Sequence, residues 1–260
     1  MTVLQLDIER IDSVIGCLTE TRRAEGDGGA VIDIDPFAVP NQAAAVLEQA
    51  AEAAGAETMV EVGMASALST LSICRGRLRA GPMKERSFHV MDPWQHHSAN
   101  IGLRAIGRAG LDPVVVFHPR ESYVVLPRLL EEGARVQFAF MDGVHQLDYV
   151  TTELLYLDLM LDVGGVVALH DMWMPSLQHC VSHWLANRDY EAVALHEGRL
   201  IARPIESEKR GCGDPEKRPP FFRRNIEPFV DWSVLLIRKL GEDQRRWDYF
   251  QDYICADPQP

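Results

Sequence analysis

Two carboxylates and two imidazoles stand at the ends of two apolar runs in this chain. The first run, 136–141, ends in Asp142-Gly143-Val144-His145, and the second, 166–169, ends in His170-Asp171. These residue types support three kinds of chemistry. An imidazole titrates near neutrality and can take a proton from a hydroxyl. Two carboxylates with one imidazole can hold a divalent cation. Without a metal, the same groups orient a polar substrate or its proton path by hydrogen bonds.

These groups must be brought together by the elements that carry them. Between the two runs, Leu147, Val150, Leu154, Leu157 and Leu161 recur at spacings of three and four, an amphipathic helix pattern. Gly164-Gly165 are expected to stop that helix. Strand, helix and strand make a right-handed βαβ unit with parallel strands. Open α/β sheets bind ligands at the carboxyl ends of their strands. If the two strands are neighbours, about 4.8 Å apart, Asp142, His145, His170 and Asp171 converge on one small volume.

The chain has 260 residues, enough for one large α/β domain, with 47% hydrophobic and 25% charged residues. Its formal charge of −12 disfavours a nucleic-acid backbone or an anionic membrane as partner. No run of about 18 apolar residues predicts a membrane span, and the N-terminus shows no apolar signal core. Five scattered cysteines, without a CxxC pair, are read as reduced thiols of a cytoplasmic protein.

Residues 1–40 form an arm: an amphipathic helix over 5–22, then a polar, glycine-rich stretch and two prolines. The arm either packs on the main domain or serves in dimerisation or as a lid. The rest, 41–260, is one domain. An alanine-rich helix, 41–54, precedes a strand, 58–62, that runs into Glu61-Val62-Gly63-Met64-Ala65-Ser66. Small residues there allow a ligand to approach the backbone and the first N–H groups of the next helix, expected from about Ser66. Neither the GxGxxG dinucleotide signature nor a phosphate loop is present. Strand 88–91 ends in Asp92-Pro93-Trp94. An acid at this place can accept hydrogen bonds from ribose hydroxyls or cap a helix. A third strand, 114–117, is followed by Glu121-Ser122 and a helix. After Asp171 come a helix (176–187), a strand (190–196), an irregular proline-rich insertion (198–231) with a possible short strand at 200–203, a strand over 232–240 and an aromatic helix over 243–254. His96-His97 and the cluster Arg218, Arg223 and Arg224 are read as solvated loop. His179 and His183 are read as structural.

With these elements in order, the chain resembles the class I S-adenosylmethionine-dependent methyltransferases. The matching stretches are VEVGMASALST, HVMDPW, RESYVVLPRLL, FAFMDGVHQLDYVTTEL and LDVGGVVALHD. The branch it is most similar to is the small-molecule O-methyltransferases of the macrocin and mycinamicin sugar type, with the catechol-type enzymes as relatives. The resemblance implies a three-layer, Rossmann-like α/β fold with a seven-stranded, mostly parallel sheet. Its strand order is 3-2-1-4-5-7-6, with strand 7 antiparallel. It implies S-adenosyl-L-methionine as cofactor. Glu61, Gly63, Met64, Ala65 and Ser69 would lie at the methionine part and ribose, Asp92 on the ribose, Trp94 over the adenine and Ser122 at the adenine edge. Asp142 and Gly143 would begin the catalytic face. His145 resembles the general base of the sugar enzymes, with Asp142 and His170 beside it.

Two positions depart from the family. Its third glycine is Ala67 here. In metal-dependent relatives Asp142 and Asp171 match carboxylate ligands, but the third ligand's positions hold His170 and Met172. Asp142, His170 and Asp171 would then suit Mn²⁺, Fe²⁺ or Zn²⁺ better than Mg²⁺. The expected function is O-methylation of a hydroxylated small molecule, a natural-product sugar or phenol of secondary metabolism, by a homo-oligomer. One alternative is a cofactor-binding, non-catalytic subunit that docks through 198–231. A nucleotide-dependent oxidoreductase is a weaker one.

Overall fold

The computed structural model describes residues 4, 6–207 and 209–249. The arm begins with α1 (Ile8–Thr21), whose first turn is capped by Asp7 accepting from the Glu9 N–H at 3.0 Å. Its buried stripe is Ile11, Val14, Ile15 and Leu18, the spacing of one helix face. The glycine-rich stretch forms a hairpin of β1 (Arg23–Glu25) and β2 (Val31–Asp33). Arg22 anchors the arm: its guanidinium donates to Asp35 at 2.6 Å and to Asn41 at 2.9 Å.

The main sheet contains β3 (Met59–Val62), β4 (Phe88–Met91), β5 (Val115–His118), β6 (Val136–Met141), β7 (Leu161–Leu169), β8 (Tyr190–His196), β9 (Arg199–Ile201) and β10 (Leu235–Lys239). Their order is β5-β4-β3-β6-β7-β10-β8-β9. The pairs from β5 to β7 are parallel, while β10 is antiparallel to both β7 and β8. This is the expected seven-strand order with an eighth strand, β9, added antiparallel at the edge.

Helices α2 (Asn41–Ala54), α3 (Leu68–Ala80) and α4 (Ile101–Ala109) join α1 on one face. Helices α5 (Ser122–Glu131), α6 (Leu147–Met160), α7 (Pro175–Asn187) and α8 (Pro220–Asn225) cover the other. Strand residues divide between the two cores by alternation: Met59, Phe138 and Phe140 face one, Val60, Ala139 and Met141 the other. The alanines of α2 let α3 approach closely, and a Cβ at Gly76 would fall 1.9 Å from the Glu48 carbonyl oxygen.

Register fixes the site. Val62 pairs with Met91 and with Met141, and Met141 pairs with Leu169. The next residues, Asp92, Gly63, Asp142 and His170, therefore leave the sheet along one line.

Several boundaries differ from expectation. Leu161 opens β7 rather than closing α6, and Gly164-Gly165 sit inside that strand, where the β6–β7 register shifts. β10 starts at Leu235 because Trp232 and Ser233 take left-handed φ of 47° and 65°. The insertion holds a helix, α8, and is tied by two arginines. Arg210 donates to the carbonyls of Ile205, Glu227, Pro228 and Val230, and Arg218 donates to Glu227 at 2.6 Å and to the Cys212 carbonyl. Arg218 is thus a structural tie, not a solvated side chain. Residues 243–249 hold a turn at 247–248 and no helix, and the rest of the expected C-terminal helix lies outside the described residues. Among the described residues, no helix is long and apolar enough to cross a membrane.

Candidate active site

The carboxyl edge of the sheet opens into a cavity of about 1310 Å³. Its floor is the strand-end line, and its walls come from the arm around Phe37, the start of α5, the first turns of α6 and the insertion.

At the centre, Gly63 adopts φ 86°, and a Cβ there would lie 2.2 Å from the Asp142 carbonyl oxygen. Only glycine lets β3 turn away this close to β6. On the β4 side, Asp92 is buried and locked. Its Oδ1 accepts from the Trp94 N–H at 2.8 Å, and its Oδ2 accepts from the Ala65 N–H at 2.9 Å and from Gln95 Nε2 at 2.8 Å. Gln95 also donates to the Ala65 carbonyl at 2.7 Å and accepts from the Gly102 N–H at 3.0 Å. This latch fixes the turn after β3 against the turn after β4.

On the β6–β7 side the four expected groups do converge. His170 Nδ1 lies 3.0 Å from Asp142 Oδ1 and 3.4 Å from Asp171 Oδ1. His145 Nε2 lies 3.4 Å from Asp142 Oδ1 and 3.6 Å from Asp171 Oδ2. Asp171 sits at φ 55° and accepts from the Trp173 indole N–H at 2.9 Å. Burial pulls both histidines toward the neutral form, but the two carboxylates outweigh it, so both pKa values rise. Burial raises Asp142, and the two imidazoles more than reverse this, so its pKa falls. Three donors, from Asp142, His170 and Asp171, lie within 4.8 Å of one another. His145 Nε2 and His170 Nε2 are buried without a hydrogen-bond partner among the described residues.

A buried carboxyl that carries no obvious sequence signature also lines the cavity. Glu153 of α6 accepts from the Ser122 hydroxyl at 2.6 Å. Burial pushes its pKa up to about 7, against the pull of that hydrogen bond. The available clue was its place on the apolar stripe of α6, beside Val150, Leu154 and Leu157.

Residues 60–172 match the family model described as a methyltransferase domain. Solved structures share the fold of this chain. An O-methyltransferase from Bacillus cereus in complex with SAH has a TM-score of 0.53 at 15% identity, covering 76% of this chain and 89% of its own. The O-methyltransferase TomG from Streptomyces achromogenes, involved in tomaymycin synthesis and in complex with SAM, has a TM-score of 0.56 at 15% identity, covering 93% of both chains. A methyltransferase from Geobacter sulfurreducens has a TM-score of 0.54 at 14% identity, covering 92% of both. A search among curated proteins gives no match. The expected class I methyltransferase fold is therefore borne out.

Gly63, Ala65, Asp92, Trp94, Ser122, Asp142, Gly143, His145, His170 and Asp171 all line the cavity. Glu61, Met64 and Ser69 do not; all three are buried beside it. Glu61 accepts from Ser69 at 2.5 Å and from Thr70 at 2.6 Å, turned into the start of α3. Burial, with the negative charges of Asp142 and Asp92 adding, pushes its pKa up to about 8 despite those two hydroxyls. Sequence reasoning passed over Gln95, Tyr149, Lys209 and Trp232, all of which line the cavity.

Proposed function

We propose that this chain transfers the methyl group of S-adenosyl-L-methionine to a hydroxyl of a small molecule. The observation that carries the reading is the convergence of His145 with Asp142 and Asp171, at 3.4 and 3.6 Å, beside the glycine turn of a methyltransferase domain. The cavity exceeds the roughly 300–1,000 Å³ typical of one ligand, which leaves room for a nucleoside cofactor and an acceptor together. Gly63 and Ala65 would hold the cofactor, Asp92 would accept from its ribose, and Trp94 and Ser122 would contact its base.

In the reaction the acceptor oxygen displaces the sulfonium in line. The O–CH₃ bond forms as the S–CH₃ bond breaks, and the hydroxyl proton passes to His145 Nε2. The carboxylates of Asp142 and Asp171, 3.4 and 3.6 Å from that nitrogen, stabilise the imidazolium that results. Holding both reactants at the strand ends supplies much of the rate.

The donor set of two carboxylates and one imidazole fits a divalent cation such as Mn²⁺, Fe²⁺ or Zn²⁺. Asp142, His170 and Asp171 would hold it, and it would lower the pKa of a bound hydroxyl.

Calorimetry with S-adenosylhomocysteine tests the reading: saturable binding is expected, and no heat at millimolar ligand removes it. Turnover after dialysis against EDTA decides the metal, since full activity means that none is required.

A further inference from the structure

The insertion builds one wall of the cavity next to the reactive groups. The Met172 N–H donates to the Ser233 carbonyl at 3.2 Å, so the strip that begins at Asp171 adjoins the strip that ends at Ser233. Gly213 packs on the same strip, and a Cβ there would meet the Trp173 carbonyl oxygen at 3.1 Å. The N–H groups of Trp232 and Ser233 donate to the carbonyls of Lys209 and Arg210, both at 2.8 Å. The Lys209 ammonium stands 5.3 Å from the centroid of the Trp232 ring. Trp173, Lys209, Trp232 and Ser233 thus face the same space as His145 and Asp171.

The chemistry of this wall is uneven. Trp173 is 50% exposed and its indole is aimed by the bond to Asp171. Around the two indoles, Gly211 and Gly213 offer no side-chain hydrogen bonds. Ser233 Oγ, which has no hydrogen-bond partner among the described residues, is the one hydroxyl this wall offers a polyol. A flat ring needs only apolar surface and the faces of other rings. Among the described residues, Lys209 is the one lysine or arginine that lines the cavity. Its charge is offered to whatever occupies the cavity.

Resting on the methyl-transfer reading, we infer that the insertion selects the acceptor, and that the acceptor is a flat phenolic ring carrying an anionic substituent. The ring lies against Trp173 and Trp232, its anion meets Lys209, and its hydroxyl is turned to His145. The insertion is then part of the substrate site, which also explains why two arginines hold it so firmly to itself.

The test is calorimetry on the full chain saturated with S-adenosylhomocysteine, with 3,4-dihydroxybenzoate, catechol and methyl glucoside as probes. Dihydroxybenzoate is expected to bind about tenfold tighter than catechol, the size of one partly solvated charge-assisted contact, and both to bind tighter than the glucoside. Lys209→Met should erase the dihydroxybenzoate preference, Lys209→Glu should invert it and Lys209→Arg should keep it. An unchanged preference in Lys209→Met, or a glucoside that binds tighter than either ring, overturns the inference while leaving methyl transfer standing. Failure of S-adenosylhomocysteine to bind removes both.

Discussion

The two ends of the strand-end line are built on opposite terms. At the β3–β4 end the turns are tied together: Asp92 accepts three hydrogen bonds, and Gln95 spends its amide on Ala65, Asp92 and Gly102. At the β6–β7 end two imidazole nitrogens are buried without a hydrogen-bond partner among the described residues, the carboxylates are shared between histidines, and Asp171 sits in a left-handed conformation. Closed groups make a rigid shape that exists before a ligand arrives. Open groups under strain are characteristic of places where a ligand completes the structure and chemistry follows. On the proposed function, one end serves binding and the other rate, and substitutions at each should separate the two.

The largest effect is expected at the open end. His145→Ala should lower kcat by about 10²–10⁴, the usual contribution of a general base. The dissociation constant of S-adenosylhomocysteine should change by less than about threefold, because in the proposed reaction the imidazole acts on the acceptor. Steady-state kinetics with calorimetry read both. A loss of cofactor affinity as large as the loss of rate would break the division between the ends.

Glu61 sharpens the comparison from beneath the turn. It faces Ser69 and Thr70 rather than the cavity, and its pKa is raised from 4.5 to about 8. A raised carboxyl pKa means that the folded state holds the proton more tightly than the unfolded chain. Glu61 therefore contributes stability that is complete below pH 4.5 and is lost as pH rises toward 8. Glu61→Gln mimics the neutral form and should remove that slope, which integrates to no more than about 5 kcal/mol and less as the site relaxes. Urea denaturation of both proteins from pH 5 to 8 checks it. If the wild type does not lose stability relative to Glu61→Gln over this range, the carboxyl is ionised in the fold. It would then belong with the ligand-facing groups.

What could be read from the sequence follows the range of the forces involved. The apolar runs gave the strands, and the βαβ rule placed their carboxyl ends together, so the meeting of Asp142, His145, His170 and Asp171 was foreseeable. Long-range packing was not. Glu153 looks like an ordinary helix acid until α5 brings Ser122 over it. The insertion looks irregular because backbone carbonyls, which carry no sequence signal, receive Arg210 and Arg218. Leu161 fitted the helical period, yet the chain passes directly from α6 into β7 at that residue. Local periodicity cannot mark such a join, because an apolar residue suits either element.

The smallest effect is expected at the closed end, from Gln95→Ala. Removing the amide takes one of the two hydrogen bonds that Asp92 Oδ2 accepts, releases the Ala65 carbonyl and strands the Gly102 N–H. The Ala65–Asp92 bond at 2.9 Å remains, so the turn should loosen without losing its course. One net hydrogen bond contributes about 0.5–1.5 kcal/mol, which sets the expected weakening of S-adenosylhomocysteine at up to about tenfold. At saturating cofactor, kcat should stay within about twofold, since the imidazoles and carboxylates between β6 and β7 are untouched. Isothermal titration and kinetics at saturation separate the two quantities. A kcat that falls with affinity would mean that the latch also aims the reactive groups. The two ends would then be one mechanical unit instead of a prebuilt cradle beside a reactive cluster.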